Sequence, residues 1–187
     1  MPLSCTLIGL GSNVGDRLAH LRAGVDSLTG LGEILATSSV YETAPVGFED
    51  QPPFFNAVVQ LATALAPQKL LHELLRIERE HGRDRSSRNV PSQGPRTLDL
   101  DLLLYSDLIL STDDLTIPHP ELQQRRFVLA PLAEIAGDLV HPVLQNTMQQ
   151  LLAALPDTGA NGKDAVRRFG PLLTRVSALS SARADLQ

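Results

Sequence analysis

The hydrophobic positions of this chain fall into two periods that alternate along its length. Residues 3–10, LSCTLIGL, form an apolar run ended by Gly11-Ser12-Asn13 and read as a strand. Leu18, Leu21, Val25 and Leu28 then recur at spacings of three, four and three, which predicts an amphipathic helix over 16–30, begun near Gly15-Asp16. A second strand is predicted over 32–43, where β-branched Thr37, Val40 and Thr43 occur. The loop APVGFEDQPP separates it from a third strand, FFNAVVQLATAL, at 54–65. Pro67 suits a first helical turn, and Leu70, Leu71, Leu74, Leu75 and Ile77 carry a helix to about His81. Residues 83–97 are polar, arginine-rich and broken by Pro and Gly, hence loop. A fourth strand covers 98–105, and 127–136 and 148–155 read as helices.

The order β-α-β-β-α-β predicts an α+β fold of ferredoxin-like type, with a four-stranded antiparallel sheet, both helices on one face and a C-terminal helical extension. A single domain is expected over 1–156. The remainder, 157–187, is expected to be a partly ordered tail with a helix near 171–182.

The fourth strand, within GPRTLDLDLLLY (94–105), changes the picture. Residues two apart on a strand share a face, so Asp99 and Asp101 project together while Leu98, Leu100 and Leu102 point the other way. At ~7 Å apart, and at an effective dielectric of about 20, two such charges repel by roughly 2 kcal/mol. A solvated sheet face would tolerate that cost. A divalent cation would reverse it, since Mg²⁺ takes one or two carboxylates plus substrate phosphates. Arg83, Arg85, Arg88 and Arg96 precede the acids, and Arg125 and Arg126 follow them. Guanidinium forks around a paired-acid strand suit a metal-bound polyphosphate.

Other residues are chemically capable but individually ambiguous. GLGSNVG (9–15) is neither a dinucleotide fingerprint nor a Walker loop, and its plain reading is a tight strand-to-helix turn. His119, between prolines in IPHPEL, is a rigid turn residue or a ligand, and Glu78 is an exposed helix acid or part of a site. Phe54 and Asn56 share a strand face. With Phe127 they could stack on and read a flat heterocycle, or they could be ordinary core and turn residues.

Composition narrows the function classes. The chain has 187 residues, 43% hydrophobic and 20% charged, as expected of a globular protein with a real core. A net charge of −5 argues against a broad nucleic-acid-binding surface. The single cysteine, Cys5, excludes an internal disulfide and a cysteine-based zinc site. No signal peptide or membrane span is legible, so a cytoplasmic location is expected, with neither a nucleic-acid nor a membrane partner. A monomer is also expected. Two other classes share parts of the pattern. Metal-dependent nucleotidyl transfer also uses paired acids, and a non-catalytic module of this fold would need neither acids nor arginine loop.

Five stretches occur in the order of one known family: LGSNVGDR (10–17), YETAPVGFEDQPPFFNAVVQL (41–61), RIEREHGRDR (76–85), GPRTLDLDLLLY (94–105) and IPHPELQQRRFVLAPLAEIA (117–136). On these residues the chain resembles the 6-hydroxymethyl-7,8-dihydropterin pyrophosphokinases of folate biosynthesis. The resemblance implies transfer of pyrophosphate from the co-substrate ATP to the pterin hydroxymethyl group, giving AMP. It implies that Asp99 and Asp101 bind two Mg²⁺ ions. Glu78, Arg83, Arg85, Arg96, Leu102, His119 and Arg125 would bind ATP, with Arg83, Arg85 and Arg96 also catalytic. Thr43, Ala44, Val46, Phe54, Asn56 and Phe127 would bind the pterin. The loops 44–53 and 83–97 would cover the substrates. The chain departs from the family pattern in having no Trp before Gly94-Pro95-Arg96, where Gln93 stands, in a longer 85–93 loop, and in Pro120 after the histidine.

Overall fold

The leading apolar run forms β1 (Ser4–Ser12), and Asp16 caps α1 (Arg17–Leu28) by accepting the Ala19 N–H at 3.0 Å. The computed structural model describes residues 2–45, 50–83, 94–156 and 165–173. The strand expected over 32–43 is two, β2 (Glu33–Thr37) and β3 (Ser39–Thr43). Ser38 makes the break. Its N–H donates to the Val58 carbonyl at 2.9 Å, and its hydroxyl accepts the Val58 N–H at 2.9 Å. A side chain thus replaces the main chain for one step of the ladder, and the pairing of β2 slips between Ile34 and Ala36.

β4 (Phe54–Thr63) runs through the middle of the sheet, and α2 (Pro67–Glu80) opens on its proline. After β5 (Asp99–Tyr105) comes a short ribbon of β6 (Leu110–Ser111) and β7 (Thr116–Ile117). The helices α3 (Arg126–Ala136) and α4 (Met148–Ala154) follow, the latter started by a Thr147–Gln150 capping box. β8 (Val166–Pro171) closes the described chain.

The main sheet has the order β5-β1-β4-β3-β8, with β2 beside β3 on the same flank of β4, and all its pairings are antiparallel. It therefore has six strands where the sequence pattern predicts four. One extra strand comes from the Ser38 break, the other from the stretch expected to be tail. The first residue of the helix expected near 171–182, Pro171, instead ends β8, Leu172 and Leu173 are not helical, and 174–182 lie outside the described residues.

The sheet separates two apolar layers. On one face α1 and α2 set Leu21, Val25, Leu28, Leu70, Leu74 and Ile77 against Ile8, Leu10, Leu100 and Leu102. On the other face Val128, Leu129 and Leu132 of α3 and Met148 of α4 pack on Leu7, Val58 and Leu103. Each fully buried leucine removes apolar surface worth about 1.5–3 kcal/mol. The alternation in β5 meets both layers: Leu98, Leu100 and Leu102 anchor the first, while Asp99, Asp101 and Leu103 face the second. Because α3 packs on β3 and β4, the carboxylate end of that second face is left open as a cavity.

β8 is tied down along its length. Leu172 is 1% exposed in the first core layer, and its carbonyl accepts from Arg22 Nε at 2.9 Å. Phe169 lies 4.4 Å from the Phe55 ring, Arg167 pairs with Glu42, and Arg168 pairs with Glu134. Leu172→Ala is expected to cost about 2–4 kcal/mol in urea unfolding, the range of a core leucine. A cost under about 0.5 kcal/mol would show that β8 is not part of the cooperative fold.

Candidate active site

Two glycines create the floor of the cavity. Gly9 and Gly11 lie inside β1, paired with Asp101 and Asp99 on β5 and with Val58 and Asn56 on β4. A Cβ on Gly11 would stand 3.3 Å from Asn56 Oδ1 and 3.6 Å from Asp99 Cβ, so any side chain there would fill the space between them. The G-x-G of the sequence thus acts as two side-chain-free rungs of a strand. Only Gly15, at φ +66°, serves the turn that the plain reading of the motif predicts. The sequence pattern alone does not mark Gly9 or Gly11 as a site residue. The signal that could have found them is their period-two spacing, which matches that of the aspartates.

The cavity encloses about 320 Å³. It brings together Thr43, Ala44, Phe54, Asn56, Arg83, Arg96, Asp99, Asp101, His119, Arg125 and Phe127 from stretches distant in sequence. Arg85 and Val46 lie outside the described residues, as do Arg88 and Gln93.

One side of the cavity is ionic. Asp99 pairs with Arg83 through Oδ1, and with Arg96 through Oδ2 at 2.9 Å. Arg83 in turn donates to Glu78 at 2.5 Å. Glu78 is not brought to the cavity wall. It is 1% exposed beneath it, where it also accepts the Leu100 N–H at 2.9 Å. A buried carboxylate needs such partners, and these make Glu78 the anchor of Arg83. Leu102 likewise turns its side chain into the opposite core layer.

His119 follows a cis Ile117–Pro118 bond, and its N–H donates to the Leu103 carbonyl at 2.9 Å. Its Nδ1 accepts the Glu121 N–H at 3.2 Å, so the neutral ring carries its proton on Nε2. Burial holds its pKa below the usual histidine value, opposed in part by the charge of Asp101. Arg125 pairs with Glu121 on the same rim.

The other side is flat and uncharged. Asn56 donates from Nδ2 to Thr43 Oγ1 at 2.7 Å, and both residues are buried. The Phe54 ring has the Arg96 guanidinium 5.2 Å from its centroid, and the Phe127 ring has that of Arg125 at 5.6 Å. The two aromatic faces therefore sit at the junction between the ionic and flat sides.

Among the described residues no cluster of three or more His, Cys, Asp or Glu is preassembled for a metal. The donor chemistry nonetheless fits Mg²⁺. Two carboxylates share an open sheet face, and the side-chain-free rungs of β1 beside them leave room for water and phosphate oxygens. No described helix is long and apolar enough to cross a membrane.

Comparison with known proteins identifies the family. A model of the 7,8-dihydro-6-hydroxymethylpterin-pyrophosphokinase family matches residues 7–137. The 2-amino-4-hydroxy-6-hydroxymethyldihydropteridine pyrophosphokinase of Haemophilus influenzae is 47% identical over 137 residues, 72% of this chain and 83% of that protein. Its namesake in Bacillus subtilis is 48% identical over 130 residues, 68% and 75% of the two chains. The folic acid synthesis protein fol1 of Pneumocystis carinii is 45% identical over 137 residues, but this chain spans only 18% of its length. Among solved structures, wild-type HPPK-DHPS of Plasmodium falciparum with pteroate superimposes with a TM-score of 0.66 at 17% identity. The match covers 81% of this chain and 42% of that one, a likeness of fold. On the family match and the identities to its stand-alone members, this chain belongs to the 7,8-dihydro-6-hydroxymethylpterin-pyrophosphokinase family.

Proposed function

We propose that the protein transfers pyrophosphate from ATP to the hydroxymethyl oxygen of 6-hydroxymethyl-7,8-dihydropterin, releasing AMP, as a step of folate biosynthesis. The observation that carries this reading is the two-sided cavity: an ionic wall for a polyphosphate beside an aromatic and amide wall for a flat ring. The connection order from β1 to β5 supports the ferredoxin-like description of the core, with β8 as an added edge.

In this reading the pterin ring lies between Phe54 and Phe127, and Asn56 and Thr43 hydrogen-bond its edge. Ala44 and Val46 contribute backbone beside it. Arg83, Arg85, Arg96, His119 and Arg125 hold the triphosphate. Leu102 contributes main chain only, and Glu78 acts through Arg83. Asp99 and Asp101 would hold Mg²⁺, two ions in the full complex, which supplies charge neutralisation and polarisation at the phosphates. The pterin hydroxyl oxygen attacks the β-phosphorus, and the bond from that phosphorus to the α–β bridging oxygen breaks. AMP leaves with the bridging oxygen, and the hydroxyl proton is released. Such a transfer depends on in-line positioning and charge stabilisation. Arg83 and Arg96 already stand at Asp99, a short side-chain movement from a phosphate bound there. His119, neutral at pH 7 with its proton on Nε2, offers a donor to a phosphate oxygen.

With ATP, Mg²⁺ and the reduced hydroxymethylpterin, AMP is expected to appear in one-to-one ratio with pterin diphosphate. ADP as the nucleotide product would overturn the reading in favour of single phosphoryl transfer. Asp99→Ala and Asp101→Ala are each expected to lower kcat by about three orders of magnitude or more, since the charge that holds the metal is removed. Near-normal turnover in both, with folding verified by circular dichroism, would remove the carboxylates from the mechanism.

The protonation of His119 has its own test. Burial lowers its pKa and Asp101 raises it, so in proton NMR its ring should titrate below pH 6.5, and lower still in Asp101→Asn. The unfolded chain binds a proton near 6.5 that the folded one refuses. This histidine's contribution to stability is therefore present above pH 6.5 and is lost as pH falls through 6.5 toward the folded value. A ring that titrates at or above 6.5 would contradict the burial of His119 at the site.

A further inference from the structure

Asn13 is 2% exposed, does not line the cavity, and has no part in the chemistry above. All of its polar side-chain atoms are nevertheless engaged, and their partners lie on the two sides of the site. Toward the ionic side, Asn13 and Arg96 exchange two hydrogen bonds. The Asn13 N–H donates to the Arg96 carbonyl at 3.1 Å, and the Arg96 N–H donates to Asn13 Oδ1 at 2.8 Å. Toward the flat side, Asn13 Nδ2 donates to Gln51 Oε1 at 3.0 Å and to the Pro52 carbonyl at 3.2 Å. Pro52 is two residues from Phe54, whose ring faces the Arg96 guanidinium. One buried amide therefore joins the backbone that carries the phosphate-side arginine to the backbone that leads into the ring-side aromatic.

We infer that Asn13 is a positioning residue that fixes the register between the nucleotide and pterin halves of the site. The inference rests on the proposed reaction. The amide suits this task because it presents an acceptor and a two-proton donor in opposite directions from one rigid plane. In-line transfer needs the attacking oxygen and the β-phosphorus held in near-attack geometry. A small slip between the two halves would slow the chemical step while each ligand still found its own contacts. Asn13 thus acts through Arg96 and through the Pro52–Phe54 segment.

The test separates registry from simple structural support. Asn13→Asp keeps the acceptor for the Arg96 N–H but sets oxygen against the Pro52 carbonyl oxygen. It is expected to lower kcat tenfold or more. The dissociation constants of ATP with Mg²⁺ alone and of hydroxymethylpterin alone should stay within threefold of wild type, by calorimetry. Gln51→Ala, which leaves Asn13 and Arg96 paired, should lower kcat two- to fivefold with both constants unchanged, and it decides the matter if Asn13→Asp does not fold. An unchanged kcat in the variant that folds, or weakening of either ligand in proportion to the rate loss, would overturn the inference. Wild-type protein that forms no AMP would instead overturn the reading of the site on which it rests.

Discussion

Two carboxylates on one face of a sheet strand, beside an apolar layer, repel each other unless water or opposite charge offsets the cost, and much of this structure is arranged around that condition. Asp99 is met by Arg83 and Arg96. Arg83 stands where it does because Glu78, buried at the end of α2, holds it, and Glu78 is itself tied to β5 through the Leu100 N–H. Arg96 is fixed through its main chain by Asn13. The charge pattern thus links α2, β5 and the end of β1 in one connected network. At an effective dielectric of about 20, an opposite charge at hydrogen-bonding distance contributes several kcal/mol of attraction, more than the roughly 2 kcal/mol of repulsion estimated between the two acids. A cation bound at Asp99 would take the place of Arg83 and Arg96, which would then be available to a polyphosphate.

The sheet divides labour between its faces. The layer under α1 and α2 is closed and leucine-rich, and it sets the stability of β1, β4 and β5. The layer under α3 is complete only over β3 and β4, and the uncovered part is the cavity. Tyr41 and Ser39 bond Glu134 of α3, while Glu42 on the same strand pairs with Arg17 and Arg167. Both faces of β3 are therefore pinned just before Thr43 enters the ring side. Burial and the Glu134 carboxylate push the Tyr41 hydroxyl up to about 12, so it remains a donor throughout the physiological range.

Much of this was legible in the sequence because period is a strong signal. The alternation in DLDLLLY placed the two aspartates on one face, and the spacings of Leu18 to Leu28 and Leu70 to Ile77 marked both helices to within a residue or two. The break at Ser38 was not legible, since it depends on one hydroxyl substituting for a peptide group opposite Val58. β8 has no clear sequence signal because its residues are mostly exposed, and it is held by partners far away in the chain, such as Glu42 and Phe55. The residues alone leave Glu78 open between an exposed helix acid and part of a site, because its burial depends on α2 meeting β5. The residues proposed from family resemblance converge on the cavity where they are described, apart from Glu78 and the Leu102 side chain. Arg85 and Val46 lie outside the described residues.

The claim that the β5 carboxylates hold a metal–polyphosphate is tested most directly by Mn²⁺ binding. Electron paramagnetic resonance would follow free Mn²⁺ during titration of the protein in the presence of a non-hydrolysable ATP analogue. Wild-type protein should bind Mn²⁺ only when the nucleotide is present, and Asp101→Ala should lose at least tenfold in that affinity while remaining folded. Unchanged Mn²⁺ affinity in Asp101→Ala and in Asp99→Ala would contradict it.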